Sequence, residues 1–190
     1  MRPEVDFVLD EPASAVVDVG RVELAPPHRT YALRDQGIGA AVFNLLINGV
    51  IAYLMFRSLA AVPLWGAQGI AGDTIGTGFF LPFMTCLIVT PLTWRQVRRG
   101  ALPAPSWTRV DHPMLARLPS RPAARGALLG LLGAVIAAPP AVLGLVVMGV
   151  DELDLWSFVA FKAIFSAILA AMVSPVIALA AIGDTSSSRG

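Results

Sequence analysis

The sequence has few charges, few histidines and a single cysteine, and each shortage excludes a class of protein. Charged residues make up 14% of the 190 residues against 56% hydrophobic residues, and the mean hydropathy is +0.70, which is not the composition of a soluble domain. The single cysteine, Cys86, cannot form an intrachain disulfide. The two histidines, His28 and His112, lie outside the apolar stretches. No haem or metal constellation is therefore predicted.

Sequence patterns typical of catalysis and of nucleic-acid binding are also missing. The spacings His-x-x-x-His, Cys-x-x-Cys, Gly-x-Ser-x-Gly and Gly-x-x-x-x-Gly-Lys do not occur. Asp111 precedes His112, but neighbours in sequence need not face one another. A net charge of +1 gives no basic surface for nucleic acid. We expect no catalytic activity, no cofactor, no metal and no nucleic-acid partner.

The chain does contain four long stretches with almost no charge. A helix rises about 1.5 Å per residue, so roughly 20 apolar residues cross a hydrocarbon core of about 30 Å. Each stretch has that length, and together they hold one charged side chain, Lys162. The predicted fold is an all-α integral membrane protein, a bundle of four transmembrane helices arranged as two helical hairpins. The stretches are Gly37 to Phe56, Thr74 to Trp94, Gly126 to Val150 and Leu155 to Gly183.

These stretches divide the chain into segments. We predict a mostly irregular tail over 1–36, a first hairpin over 37–94, a loop over 95–125, a second hairpin over 126–183 and a short tail over 184–190. Thr30 is the expected N-cap of the first helix. The loop is rich in proline and arginine, which favours an extended linker. Short connections predict that the two helices of each hairpin pack as antiparallel neighbours.

The distribution of arginine predicts the orientation. Nearly all arginines lie in the two tails and the central loop, whereas the other side has Arg57 alone beside four acidic residues. By the positive-inside rule, both termini and the central loop are cytoplasmic. We expect a multi-pass protein of the cell inner (plasma) membrane. The four acids are Asp73, Asp151, Glu152 and Asp154.

Polar side chains inside the apolar stretches are the first candidates for a functional site, because they are costly in hydrocarbon. Asn44 and Asn48 share one face of the first helix. Thr85 and Ser166 are expected roughly 16 Å from the outer ends of the second and fourth helices, and Lys162 roughly 10 Å from the outer end of the fourth. We predict that these five residues form a polar cluster near the middle of the membrane.

Other interpretations of the same residues stay open. Asparagine and serine in membrane helices often bond one helix to another, and Lys162 can extend outward to Asp73 or to the acids near 151–154. Asp73 and Asp154 precede helices and are predicted helix caps. Small residues at four-residue spacing predict close helix packing. These are Gly126, Gly130, Ala134, Ala138, Ala170 and Ser174.

Two functions are compatible with this pattern. The first is an oligomeric channel or permease for a small solute or ion, in which the polar cluster lines the path and Lys162 favours anions or acts as an internal counter-ion. The alternative is a non-catalytic accessory or assembly subunit that docks a larger membrane protein through its small-residue faces. The expected partners are the lipid bilayer and either a second copy or a membrane protein. Cys86, next to Thr85 in sequence, is expected to report whether water reaches the cluster.

Overall fold

The first half of the described chain contains two long helices joined by a short strand. A computed structural model describes residues 26–187. Helix α1 (Pro26–Thr30) continues as a π-helical segment (Tyr31–Ile38) and then as α2 (Gly39–Phe56). Strand β1 (Ala61–Pro63) and helix α3 (Ile70–Arg98) follow. Predictions that concern residues 1–25 and 188–190 lie outside the described residues.

The second half repeats this order after the central loop. The loop holds a 3₁₀ turn (Arg109–Asp111) and the short helix α4 (Pro113–Ala116). Helix α5 (Pro122–Leu132) runs through a π-helical turn (Gly133–Ala137) into α6 (Ala138–Val147). Strand β2 (Glu152–Asp154) leads into α7 (Leu155–Ser187). The described chain is therefore mostly helical, as predicted.

Four helices are long and apolar enough to cross a membrane. They run over Pro27–Phe56, Ile70–Arg98, Pro122–Val147 and Leu155–Ser186, and are called the first to fourth helices below. This confirms the predicted number of helices, although several bounds differ. The first helix begins at Pro26, ahead of the expected cap at Thr30. Thr30 is not its cap, because its backbone is already helical (φ −61°, ψ −47°) and its side chain makes no cap bond. The fourth helix likewise continues through Asp184, which the prediction placed in the tail.

The π-helical turn in the third helix has a cause in the sequence. Pro139 and Pro140 have no amide hydrogen to donate to the preceding turn. The amide of Ala138 donates to the carbonyl of Gly133, five residues back. The extra residue in the turn keeps the helix continuous ahead of the two prolines.

The order in which the helices pack differs from the predicted hairpins. The fourth helix lies between the first and the second, and the second packs between the fourth and the third. Within residues 26–187, the backbones of the first and second helices stay apart over most of their length, as do those of the third and fourth. Side chains join both pairs near the loop end, where the Tyr31 and Thr93 hydroxyls lie 3.1 Å apart and Arg125 pairs with Asp184. The third helix ends at Val147, so the seven residues of the connection over 148–154 reach about 23–25 Å when extended. That distance is enough to pass across a helix about 10 Å wide.

Both interhelical connections meet at one end of the bundle, here called the strand end. Strands β1 and β2 pair antiparallel, with Ala61 opposite Asp154, Val62 opposite Leu153 and Pro63 opposite Glu152. Val62 is buried and belongs to a core that includes Phe158 and Ile70. The pairing therefore fixes the two connections to each other and to the helices beneath them.

The central loop folds against the opposite end, here called the loop end. The prediction of an extended linker is wrong, because Trp107 is only 3% exposed and packs in one core with Ile177 and Ile182 of α7. The hydroxyl of Ser186 donates to the carbonyl of Trp107 (2.8 Å). His28 Nε2 donates to the carbonyl of Pro103 (2.9 Å). Apolar loop side chains thus cover the helix ends in spite of the many prolines.

A buried arginine at the start of the third helix joins that helix to the fourth helix and to the central loop. Arg125 is 0% exposed, and its Nη2 lies 2.6 Å from Asp184 Oδ2. Its Nε donates to the carbonyl of Pro119 (3.0 Å). The indole of Trp94 adds a further bond, to the carbonyl of Ala181 (3.1 Å). Polar contacts at the loop end therefore join the central loop, the second helix and the fourth.

Small residues bring the second and third helices into backbone contact. A Cβ atom on Gly130 would lie 2.5 Å from the carbonyl oxygen of Phe79, and one on Gly126 would lie 3.0 Å from that of Phe83. Gly133 lies against the carbonyl of Gly78, and a Cβ on Gly78 would in turn meet the Ala134 backbone at 3.1 Å. The remaining predicted packing residues, Ala138, Ala170 and Ser174, are fully buried. Larger side chains would separate these helices.

Candidate functional site

A buried ion pair joins the fourth helix to the second near the strand end. Lys162 Nζ lies 2.5 Å from Asp73 Oδ1, and Lys162 is only 5% exposed. Two charges removed from solvent need each other, because either one alone would be uncompensated. Of the acids that the sequence offered as partners for Lys162, the partner in the structure is therefore Asp73.

Asp73 is not a helix cap, contrary to the prediction. Helix α3 begins at Ile70, and its N-cap is Gly69 in an extended conformation (φ −90°, ψ 157°). Asp73 therefore lies within the first turn, where its carboxylate faces Lys162 instead of the free amides. The earlier start also moves Thr85, which lies about 22 Å along the helix instead of 16 Å.

Asp154 has the geometry of an N-cap for the fourth helix. Its Oδ1 accepts hydrogen bonds from the amides of Trp156 (3.0 Å) and Ser157 (3.2 Å). The hydrogen bonds from Ser157, followed by that from Trp156, lower the pKa of this carboxyl group. Asp154 is thus held in its charged form at the positive end of the helix dipole.

A groove of about 670 Å³ lies between the first and second helices. It exists because these helices do not pack on each other, and Lys162 reaches it from the fourth helix. Its surface is mainly apolar, and a smaller number of polar residues also line it. The apolar side chains include Phe43, Ile51, Phe80, Met84 and Ile88.

Polar side chains follow both walls of the groove. On the first helix the lining runs from Gln36 to Ile51 and on the second from Asp73 to Val89, which are lengths of about 22 and 24 Å. These lengths approach the roughly 30 Å of a hydrocarbon core. The groove is therefore long enough to extend over most of a bilayer. Its uncharged polar residues are Gln36, Asn44, Asn48, Thr77 and Thr85.

The hydrogen bonds of these residues stay within single helices. Asn44 Nδ2 donates to the carbonyl of Ala40 (2.9 Å), and Asn48 Nδ2 donates to the carbonyl of Asn44 (3.1 Å) and to its Oδ1 (3.2 Å). Thr85 Oγ1 donates to the carbonyl of Leu81 (2.7 Å). Bonding between helices, one of the open interpretations for the asparagines, is therefore wrong for the described residues. Their side chains line the groove instead.

One member of the predicted cluster lies elsewhere. Ser166 is fully buried and does not line the groove, and its hydroxyl has no hydrogen-bond partner among the described residues. Asn44, Asn48, Thr85 and Lys162 do line it. Sequence reasoning missed Gln36 and Thr77 as members of the site. Thr77 lies four residues after Asp73, a spacing that places both on one helix face.

Cys86 does not report on the groove, although it follows Thr85 in sequence. It is fully buried, and its Cβ lies near Gly126 of the third helix. Consecutive residues on a helix point in different directions. A probe of the groove therefore needs an introduced cysteine.

The chain matches no protein-family model, no curated protein and no solved structure. Among residues 26–187, no group of three His, Cys, Asp or Glu side chains is placed to hold a metal ion. The groove and its ion pair are therefore the features on which a functional argument rests.

Proposed function

We propose that the protein is a small multi-pass membrane channel or permease, and that its solute passes along the groove between the first and second helices. The observation that supports this function is the series of polar side chains that continues along both walls and ends at a buried ion pair. Polar groups at membrane depth are costly. A passage for polar groups accounts for their alignment on one surface.

In this proposal the four helices span the inner membrane with the loop end in the cytoplasm. The concentration of arginine at the loop end favours that orientation. Trp65 and Trp156 are both exposed near the strand end, and Trp156 stacks on Tyr53 with ring centroids 5.4 Å apart. Such aromatic side chains are typical of the boundary between lipid and water.

A water-soluble solute requires that the open side of the groove be covered. The four helices lie in the order first, fourth, second, third. The first and second helices form the two walls of the groove, and one side of the groove stays open. A second copy is the cover that the proposal includes. The working unit for such a solute is then a homo-oligomer.

The alternative, an accessory subunit that docks a larger membrane protein, has weaker support. It requires free faces of small residues on the helices. Gly126 and Gly130 already contact the second helix of the same chain. Asn44, Asn48 and Thr85 of the groove, by contrast, make hydrogen bonds only within their own helices, so the permease is the better-supported function.

Cysteine accessibility tests the path. In a Cys86→Ala background, Asn48→Cys and Thr85→Cys are treated in native membranes with a membrane-impermeant maleimide. Both line the groove, and we expect both to be labelled. Val50→Cys and Leu87→Cys are the matched controls, because these side chains are exposed on the same helices but do not line the groove. Equal protection of all four positions would overturn the proposal.

A further inference from the structure

We propose that the molecule carried by the groove is a zwitterionic amphiphile. Its headgroup follows the polar side chains while its acyl chain stays in the bilayer. This inference rests on the proposed function and specifies its substrate class. Three observations support it: the ion pair at the strand end, the depth of that pair along the helices, and the open side of the groove.

The charges favour a headgroup that carries both signs. Lys162 and Asp73 both line the groove and are paired with each other. A singly charged group that displaced one partner would leave the other without compensation in a poorly solvated site. A zwitterion replaces both contacts together, since its phosphate binds Lys162 and its ammonium binds Asp73. Neutral and singly charged headgroups lack one or both of these contacts.

The depth of the pair agrees with the level of a lipid headgroup. Asp73 lies about 5 Å from the start of the second helix and Lys162 about 10 Å from the start of the fourth. Both positions are close to the strand end, where the exposed tryptophans also lie. A headgroup in the leaflet on that side is therefore within reach of the pair.

The side walls suit an acyl chain. The backbones of the first and second helices stay apart along the groove, and the hydrogen bond between Tyr31 and Thr93 joins these helices near the loop end. Much of the groove lining is apolar, including Phe43, Phe80 and Met84. A chain that leaves through the open side contacts these side chains and the surrounding lipid. The headgroup meanwhile exchanges the ion pair for Asn48, Asn44 and Gln36 toward the loop end. A single copy is enough for such a molecule, because its own tail covers the open side.

The test is a lipid translocation assay on the full chain in proteoliposomes. Vesicles contain a trace of tail-labelled phosphatidylcholine or tail-labelled phosphatidylglycerol, and dithionite bleaches the fluorophore in the outer leaflet. We expect the protein to move phosphatidylcholine about tenfold faster than phosphatidylglycerol. The double variant Lys162→Met/Asp73→Asn leaves no unpaired charge and should lose that preference. Ile75→Asn, an exposed position on the second helix outside the groove, should keep it.

Each result of this assay decides between the two proposals. Equal movement of both phospholipids, or an unchanged preference in the double variant, would overturn the zwitterionic headgroup. Uptake of soluble glycerophosphocholine without movement of lipid would overturn the amphiphile. No movement of any lipid, together with labelled cysteines at 48 and 85, would overturn this inference and leave the path intact. Absence of both movement and labelling would overturn both.

Discussion

Lys162 Nζ and Asp73 Oδ1 lie 2.5 Å apart and join the fourth helix to the second at the strand end of the groove. The fourth helix, on which Lys162 lies, packs against both walls of the groove. The pair therefore fixes the second helix to the fourth at the position where the groove lining of the second helix begins.

Removal of one member of this pair should destabilise the protein more than removal of both. Lys162→Met leaves the Asp73 carboxylate, whose side chain is 13% exposed, without its partner. We expect a loss of about 3 kcal/mol in the free energy of unfolding, the lower end of the cost of breaking a buried pair. The double variant Lys162→Met/Asp73→Asn should lose clearly less. Unfolding of both variants in mixed micelles measures the difference. If the double variant lost the sum of the two single losses, the pairing would make no contribution.

Glycine is required where the second and third helices touch. Gly133→Ala introduces a methyl group against the carbonyl of Gly78, and overpacking of this kind costs about 1–3 kcal/mol. We expect the melting temperature of the purified protein to fall by about 2–10 °C. Gly144→Ala is the matched control, because a Cβ there has no atom within 4 Å. An equal shift in both variants would show that the loss comes from the backbone and not from the contact.

The central loop should resist proteolysis. Trp107 holds it against the fourth helix, so trypsin should cleave slowly after Arg117 in the native protein. Trp107→Ala removes a buried side chain, a change that costs about 3–5 kcal/mol, and cleavage should accelerate. Trp65→Ala, at an exposed position, should leave the rate unchanged. Rapid cleavage of the native loop would restore the interpretation as an extended linker.

The cap at Asp154 gives a pH dependence. Hydrogen bonds from Ser157 and Trp156 lower the pKa of its carboxyl group. Its contribution to stability is therefore present above the ordinary aspartate pKa of about 3.9 and is lost as the pH falls through the lower, folded value. Asp154→Ala should lower the melting temperature at neutral pH. Asp154→Asn should lower it less, because asparagine also caps helices. The gap between native protein and Asp154→Ala should narrow on acidification, and a gap independent of pH would contradict the charged cap.

The helices were predictable because each apolar run is long enough by itself to cross a membrane. The residues at which the helices begin and end were less predictable. Thr30 is the cap expected from the sequence because it follows Pro26 and Pro27, yet proline is tolerated in a first helical turn, and the helix already begins at Pro26. The prediction also started the second helix at Thr74, whereas Ile70 already belongs to it.

The groove was only partly predictable, since it depends on which helices are neighbours. Helical periodicity placed Asn44 and Asn48 on one face and marked Lys162 as unusual. The neighbour of that face could not be read from loop lengths, because a connection of a few extended residues can pass across a helix. Asp73 is misread as a cap because the second helix begins at Ile70 and not at Thr74. Ser166 is misplaced because its depth along the helix does not say which helix it faces.

The helix order has a consequence for how the chain is assembled. The first and second helices meet the fourth helix and barely meet each other, so the ribosome releases them well before their common partner exists. Until that last helix is synthesised, the carboxylate of Asp73 lacks Lys162, its partner in the folded chain. Folding of the bundle thus ends with a late docking event, in which one helix binds the first and second helices at once.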